Sequence, residues 1–97
     1  MGMELIPLNP GASGLRYSGE GWRWIRHFAH RNGVATDQFS EWNDGDPLDA
    51  ETCCALATAI ERNQSEYNKV FAGKCYGPSP ADGHAGIWRE SSGFEQW

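Results

Sequence analysis

The chain has 97 residues and carries 13 acidic against 8 basic side chains, a net charge of −5. That length supports one hydrophobic core and excludes two, so residues 1–97 are expected to form a single small domain. No apolar run is long enough to cross a bilayer, and a net negative chain excludes loose, charge-driven binding to nucleic acid.

In chain order, Met1 to Leu15 has neither a basic n-region nor an apolar h-region of signal-peptide length, which predicts a cytoplasmic location. Met3 to Leu8 reads as a short strand or extended segment, and Pro7 restricts it to an edge. Pro10 with Gly11, Gly14, Gly19 and Gly21 reads as a loop. A first helix starts at the N-cap Ser18 and runs to Arg31, where Asn32-Gly33 stops it. Trp22, Ile25 and Ala29 share one face of it. A single helical turn is expected at Thr36–Ser40. Trp42 to Pro47 then reads as a turn, because Asp44-Gly45 favours positive φ and Pro47 keeps Asp46 out of the helical region.

The second helix is capped by Asp49, with Glu51 in its first turn. Its core stripe is Cys53, Leu56, Ala57 and Ile60, at i, i+3, i+4 and i+7. Tyr67, Val70 and Phe71 either extend it to Ala72 or form a further helix after a break near Asn63. Residues 73–80 read as a loop. Ser79-Pro80 resembles a cap and first helical position, opening a third helix over Ala81–Ser91 that carries His84 and Trp88. Gly93 stops it and Phe94 to Trp97 is a tail. The fold class expected is therefore mainly α, with three main helices and at most a short N-terminal extended strand.

Three cysteines, Cys53, Cys54 and Cys75, do not close a disulfide framework and read as reduced thiols, with Cys53 in the core. Five tryptophans are many for this length. Trp22 and Trp24 lie about 200° apart on a helix, so one of them is left partly exposed.

The charge is split. Arg16 to Arg31 holds four arginines, two histidines and one acid, Glu20. Asn32 to Glu61 holds seven acids and neither Lys nor Arg. Either the acidic stretch pairs with the basic helix, at small gain per exposed pair, or it docks on a basic surface of a partner. His27 and His30, three apart on a helix, could join His84 and a cysteine around zinc, but no Cys-x-x-Cys supports this. Asp44, Asp46, Asp49 and Glu51 lack calcium-loop spacing. Ser13 is not in a nucleophile elbow, and the glycines lack a phosphate-loop pattern.

Gly21-Trp22, Trp42-Asn43-Asp44-Gly45-Asp46-Pro47, Ala50-Glu51-Thr52-Cys53, Trp88-Arg89 and Gly93-Phe94-Glu95-Gln96-Trp97 stand in that order. In this the chain resembles a group of small uncharacterised bacterial proteins with a Trp-Asn-Asp-Gly turn before a helix and a Gly-Phe-Glu-Gln-Trp tail. The resemblance implies a bacterial, soluble, single-domain protein and carries over no activity.

The function expected is a non-enzymatic, cytoplasmic protein-binding module. Glu41, Trp42, Asp44, Asp46, Asp49 and Glu51 form the contact, with Trp97 or Trp24 as a second anchor. The partner is a protein with a basic surface. Neither cofactor nor metal, and no membrane or direct nucleic-acid contact, is expected. Size and charge suit an inhibitor of a bacterial nuclease or defence complex, of phage anti-defence or immunity type. The alternative is a small metal- or thiol-dependent enzyme using His27, His30, His84 and a cysteine.

Overall fold

The computed structural model of the chain describes residues 2–42, 44–71 and 80–97, with side chains of the last segment from His84 onward. In chain order the described residues form β1 (Met3–Pro7), β2 (Leu15–Tyr17), α1 (Gly19–Arg31), β3 (Asp46–Asp49), α2 (Ala50–Arg62), α3 (Gln64–Phe71), α4 (Pro80–Glu90) and β4 (Gly93–Gln96). This corrects the expected fold class. The domain is a mixed α/β fold with a four-stranded antiparallel sheet in the order β2-β1-β4-β3, not a mainly α domain of three helices.

Local chemistry accounts for the helices. Ser18 caps α1, its hydroxyl accepting from the Gly21 amide at 3.0 Å, and Gly33 ends it with φ +76°. Asp49 caps α2 by accepting from the Thr52 amide at 2.8 Å. Cys53, Leu56, Ala57 and Ile60 are all fully buried, as their spacing predicts. Asn63 breaks the helix, and α3 is a separate element. Trp22 is buried and Trp24 half-buried, the division that their spacing requires. The expected loop at 73–80, the Ser79 cap and Cys75 lie outside the described residues.

The strands are where expectation and structure part. β1 is not an edge, because it pairs with β2 on one side and β4 on the other. Glu4 exchanges both backbone hydrogen bonds with Trp97, and the Leu8 amide donates to the Gly93 carbonyl at 3.0 Å. Residues 4, 6 and 8 therefore bond to the β4 side, and 3, 5 and 7 face β2. Pro7 lacks its donor on the β2 side only, where pairing has already ended at Leu5 and Leu15. A proline thus fits a central strand.

The tail is an inner strand. Gly93, with φ +136°, begins β4 instead of merely ending α4. A Cβ at Gly93 would sit 2.4 Å from the Leu48 carbonyl oxygen, so the strands could not approach so closely around any other residue. Asp46 to Asp49, read as turn and cap, form the edge strand β3. Pro47 lies opposite Glu95, which bonds to β1, so its nitrogen faces the open edge. The expected helical turn at 36–40 is a hydrogen-bonded turn and not a helix, with the Phe39 amide donating to the Thr36 carbonyl at 3.1 Å.

Side chains alternate across the sheet. Met3, Leu5, Leu15, Tyr17, Leu48, Phe94 and Gln96 point inward and are buried against the helices. Glu4, Ile6, Leu8, Arg16, Pro47 and Trp97 lie on the opposite, solvent-facing side and are exposed. No described helix is long and apolar enough to cross a membrane.

Candidate functional site

The residues expected to contact a partner lie on the segment that leads into β3, and two inward-facing side chains hold that segment in place. The Trp22 indole of α1 donates to the Ser40 carbonyl at 2.6 Å. Gln96 of β4 is fully buried, and its Oε1 accepts from the Ser40 amide at 2.8 Å. Its Nε2 donates to the carbonyls of Gln38 at 2.6 Å and Asp46 at 3.3 Å. At the far end of the segment, the Gly45 amide donates to the Gln96 carbonyl at 2.7 Å. Gly45 has φ +79°, the positive value that Asp44-Gly45 predicts.

Trp42 sits on this pinned segment and is 71 % exposed, the most exposed large apolar side chain described. Trp97 is 47 % exposed. Its ring lies against Gly45, where an added Cβ would stand 2.7 Å from the indole. The two tryptophans therefore flank one short stretch of backbone. The other expected anchor, Trp24, is half-buried and lies apart on α1. It stacks on Phe28 at 4.8 Å and packs edge-on against Tyr67 and Phe71, so it flanks the core.

The six acidic and aromatic candidates divide by use. Asp44 knits its own loop, accepting from the Ser40 hydroxyl at 3.1 Å and the Asp46 amide at 3.4 Å. Asp49 caps α2 and accepts from the Gln38 side-chain amide at 2.7 Å. That Gln38 bond, followed by those from Thr52, holds the Asp49 carboxyl below its ordinary range. Glu41 pairs with Arg26 of α1 at 3.3 Å. Asp46, Glu51 and Trp42 are exposed. The basic helix and the acidic segment are thus neighbours. Among the described residues, however, Glu41 is the only acid of the segment 37–51 that forms an ion pair with Lys or Arg.

His27, His30 and His84 do not come together as one site. His27 and His30 are exposed on α1. His84 instead joins a polar cluster under the sheet that the sequence pattern does not single out. Its Nδ1 lies 2.5 Å from the Tyr67 hydroxyl and 3.2 Å from that of Tyr17. The two hydroxyls are 2.9 Å apart, and the Trp88 indole donates to Tyr17 at 3.1 Å. The only sequence signal for this cluster is the i, i+4 spacing of His84 and Trp88. Among the described residues no group of three His, Cys, Asp or Glu side chains could hold a metal ion.

Cys53 and Cys54 are free thiols. Burial, then the Asp49 and Cys54 charges, push the Cys53 thiol up to about 12, so it stays protonated and inert at neutral pH. In a variant with Cys54 and Cys75 changed to Ser, native protein should react with iodoacetamide at least about a hundredfold more slowly than the unfolded chain. Reaction at the unfolded rate, followed by mass spectrometry, would show Cys53 to be an accessible thiolate. Comparison of the chain with protein-family models, with curated proteins and with solved structures returns no match.

Proposed function

We propose that the protein is a non-enzymatic binding module whose rim of Trp42, Trp97, Glu41, Asp44, Asp46, Asp49 and Glu51 docks on a basic surface of a partner protein. The observation that carries this reading is Trp42, 71 % exposed on a segment pinned by Trp22 and Gln96. A large aromatic side chain on a segment already hydrogen-bonded to the core leaves less to be ordered when a partner covers it, and tryptophan is among the residue types most enriched as interface anchors. The exposed acids around it would select a basic face and speed the encounter. The narrower form of the reading is an inhibitor that occludes a nuclease or defence complex, which small size and the base-free acidic run support.

The test is a pulldown from the native host with quantitative mass spectrometry. Trp42→Ala should cut recovery of the partner by about tenfold or more, the usual effect of removing an anchor. The triple change E41K, D44K and D46K should abolish it, and Glu90→Lys on α4 should leave it unaltered. A partner recovered equally well by all four proteins would sink the proposal.

A further inference from the structure

A groove opens beside this rim, between the N-terminal half of α1 and the Trp42 segment. It encloses about 430 Å³ and is lined by Gly2, Met3, Gly19, Trp22, Arg23, Arg26, Glu41 and Trp42. That volume lies within the range of small-molecule sites, about 300–1,000 Å³. Met3 and Trp22, both buried, supply an apolar floor. Gly2 and Gly19 add no side chains to fill it.

Its charge is opposite to that of the chain as a whole. Two arginines and one glutamate leave it net positive in a protein of net charge −5. Among the described residues Arg23 makes no ion pair. Arg26 pairs with Glu41 through Nη1 at 3.3 Å, and its Nε is buried with no hydrogen-bond partner among the described residues. The exposed Arg23 guanidinium beside the cavity, with Arg26 on the same helix, suits an oxyanion, which arginine grips with paired hydrogen bonds. Trp42 at the lip offers an open indole face of the kind on which a nucleobase stacks. Glu41 is 60 % exposed and can accept from sugar hydroxyls or an exocyclic amine.

We propose that this groove binds a nucleoside monophosphate, with Arg23 and Arg26 on the phosphate, Trp42 stacked on the base and Glu41 accepting from the sugar or base. The site stands without the docking reading, although the two share Glu41 and Trp42 and a bound nucleotide would compete with a partner there.

The test is a titration of the full chain, with no partner present, followed by NMR of the Trp42 indole and Arg23 guanidinium N–H signals. AMP, GMP, CMP and UMP are tried separately, with inorganic phosphate, ribose 5-phosphate and adenosine as comparison arms. At least one nucleotide should shift both signals saturably in the millimolar range or below. Trp42→Ala and Arg23→Gln, both exposed positions, should each weaken it by about tenfold while leaving the spectrum of the core unchanged. Absence of a saturable shift with every nucleotide overturns the proposal. So does inorganic phosphate binding as tightly as the nucleotide, or affinity unchanged in Trp42→Ala.

Discussion

Gln96→Leu is expected to cost about 2 kcal/mol of unfolding free energy, because it leaves part-buried backbone groups without their side-chain partner while roughly preserving volume. The Gln96 amide accepts from the Ser40 N–H and donates to the Gln38 and Asp46 carbonyls. The Gln96 side chain is fully buried, and a leucine in its place offers those groups nothing in exchange. Urea denaturation should show a lower midpoint at nearly unchanged slope. Hydrogen exchange at the Ser40 amide should rise sharply, since that donor becomes unpaired. A loss below about 1 kcal/mol, with Ser40 still protected, would mean that Gln96 does not pin the segment bearing Trp42. The consequence for function is direct. An anchor on a loosened segment must be ordered at the moment of binding, so this variant should weaken partner capture without touching the rim.

Acid is expected to destabilise the protein through His84. Burial lowers the His84 pKa below the ordinary histidine value, which is about 6.5. The unfolded chain therefore binds the proton first as pH falls, and the stability contributed by the neutral imidazole is complete above about pH 6.5. It is lost as pH drops below that value toward the folded pKa, and levels off beneath it. The geometry supplies the reason. The Trp88 indole only donates, so Tyr17 accepts from it, and the Tyr67 and Tyr17 hydroxyls both lie within hydrogen-bond distance of His84 Nδ1. Burial away from water penalises the charged imidazolium in this cluster.

Thermal or urea unfolding between neutral pH and about pH 5 should show this loss, and His84→Gln should flatten it. An acid profile unaltered in His84→Gln would refute the assignment. The hydroxyls should be unequal as well. Tyr67→Phe should cost about 1 kcal/mol, because Tyr17 lies close enough to donate to His84 directly. Tyr17→Phe should cost about 2–3 kcal/mol, because it strands the buried Trp88 indole. Equal costs would show that the Trp88 indole does not depend on the Tyr17 hydroxyl.

The candidate site is partly legible in the amino-acid sequence. Trp42 and Glu41 stand out as an aromatic and an acid in a base-free stretch, and both lie on the rim. Asp44 and Asp49 carry the same signature of contact residues, but the fold uses them to tie a loop and cap a helix. An acid that accepts local backbone bonds and one that waits for a partner look alike in sequence. Trp24 qualifies as an anchor by helical spacing, which says only that one of Trp22 and Trp24 is less buried. The ring partners Phe28, Tyr67 and Phe71 decide where it lies. Gln96 gives no warning at all, since a polar residue near a chain end ordinarily faces water.

Helices α1 and α2 are determined by information within each segment. A Ser18 or Asp49 cap, a 3.6-residue apolar stripe and an Asn-Gly or Asn stop act over a few residues. The sheet could be decided only by tertiary structure. Its strands are three to five residues long, too short to show a reliable alternation. Leu5 pairs with Gln96, from opposite ends of the chain. The value of Phe94 and Gln96 as inward residues exists only once Met3 to Pro7 lies beside them. The same long-range closure sets Tyr17, Tyr67 and His84 in one cluster and sets Arg23 and Arg26 beside Trp42. The net charge of −5 is a property of composition. A positive groove within it is a property of the fold, because folding brings a basic helix face and an exposed indole to the same place.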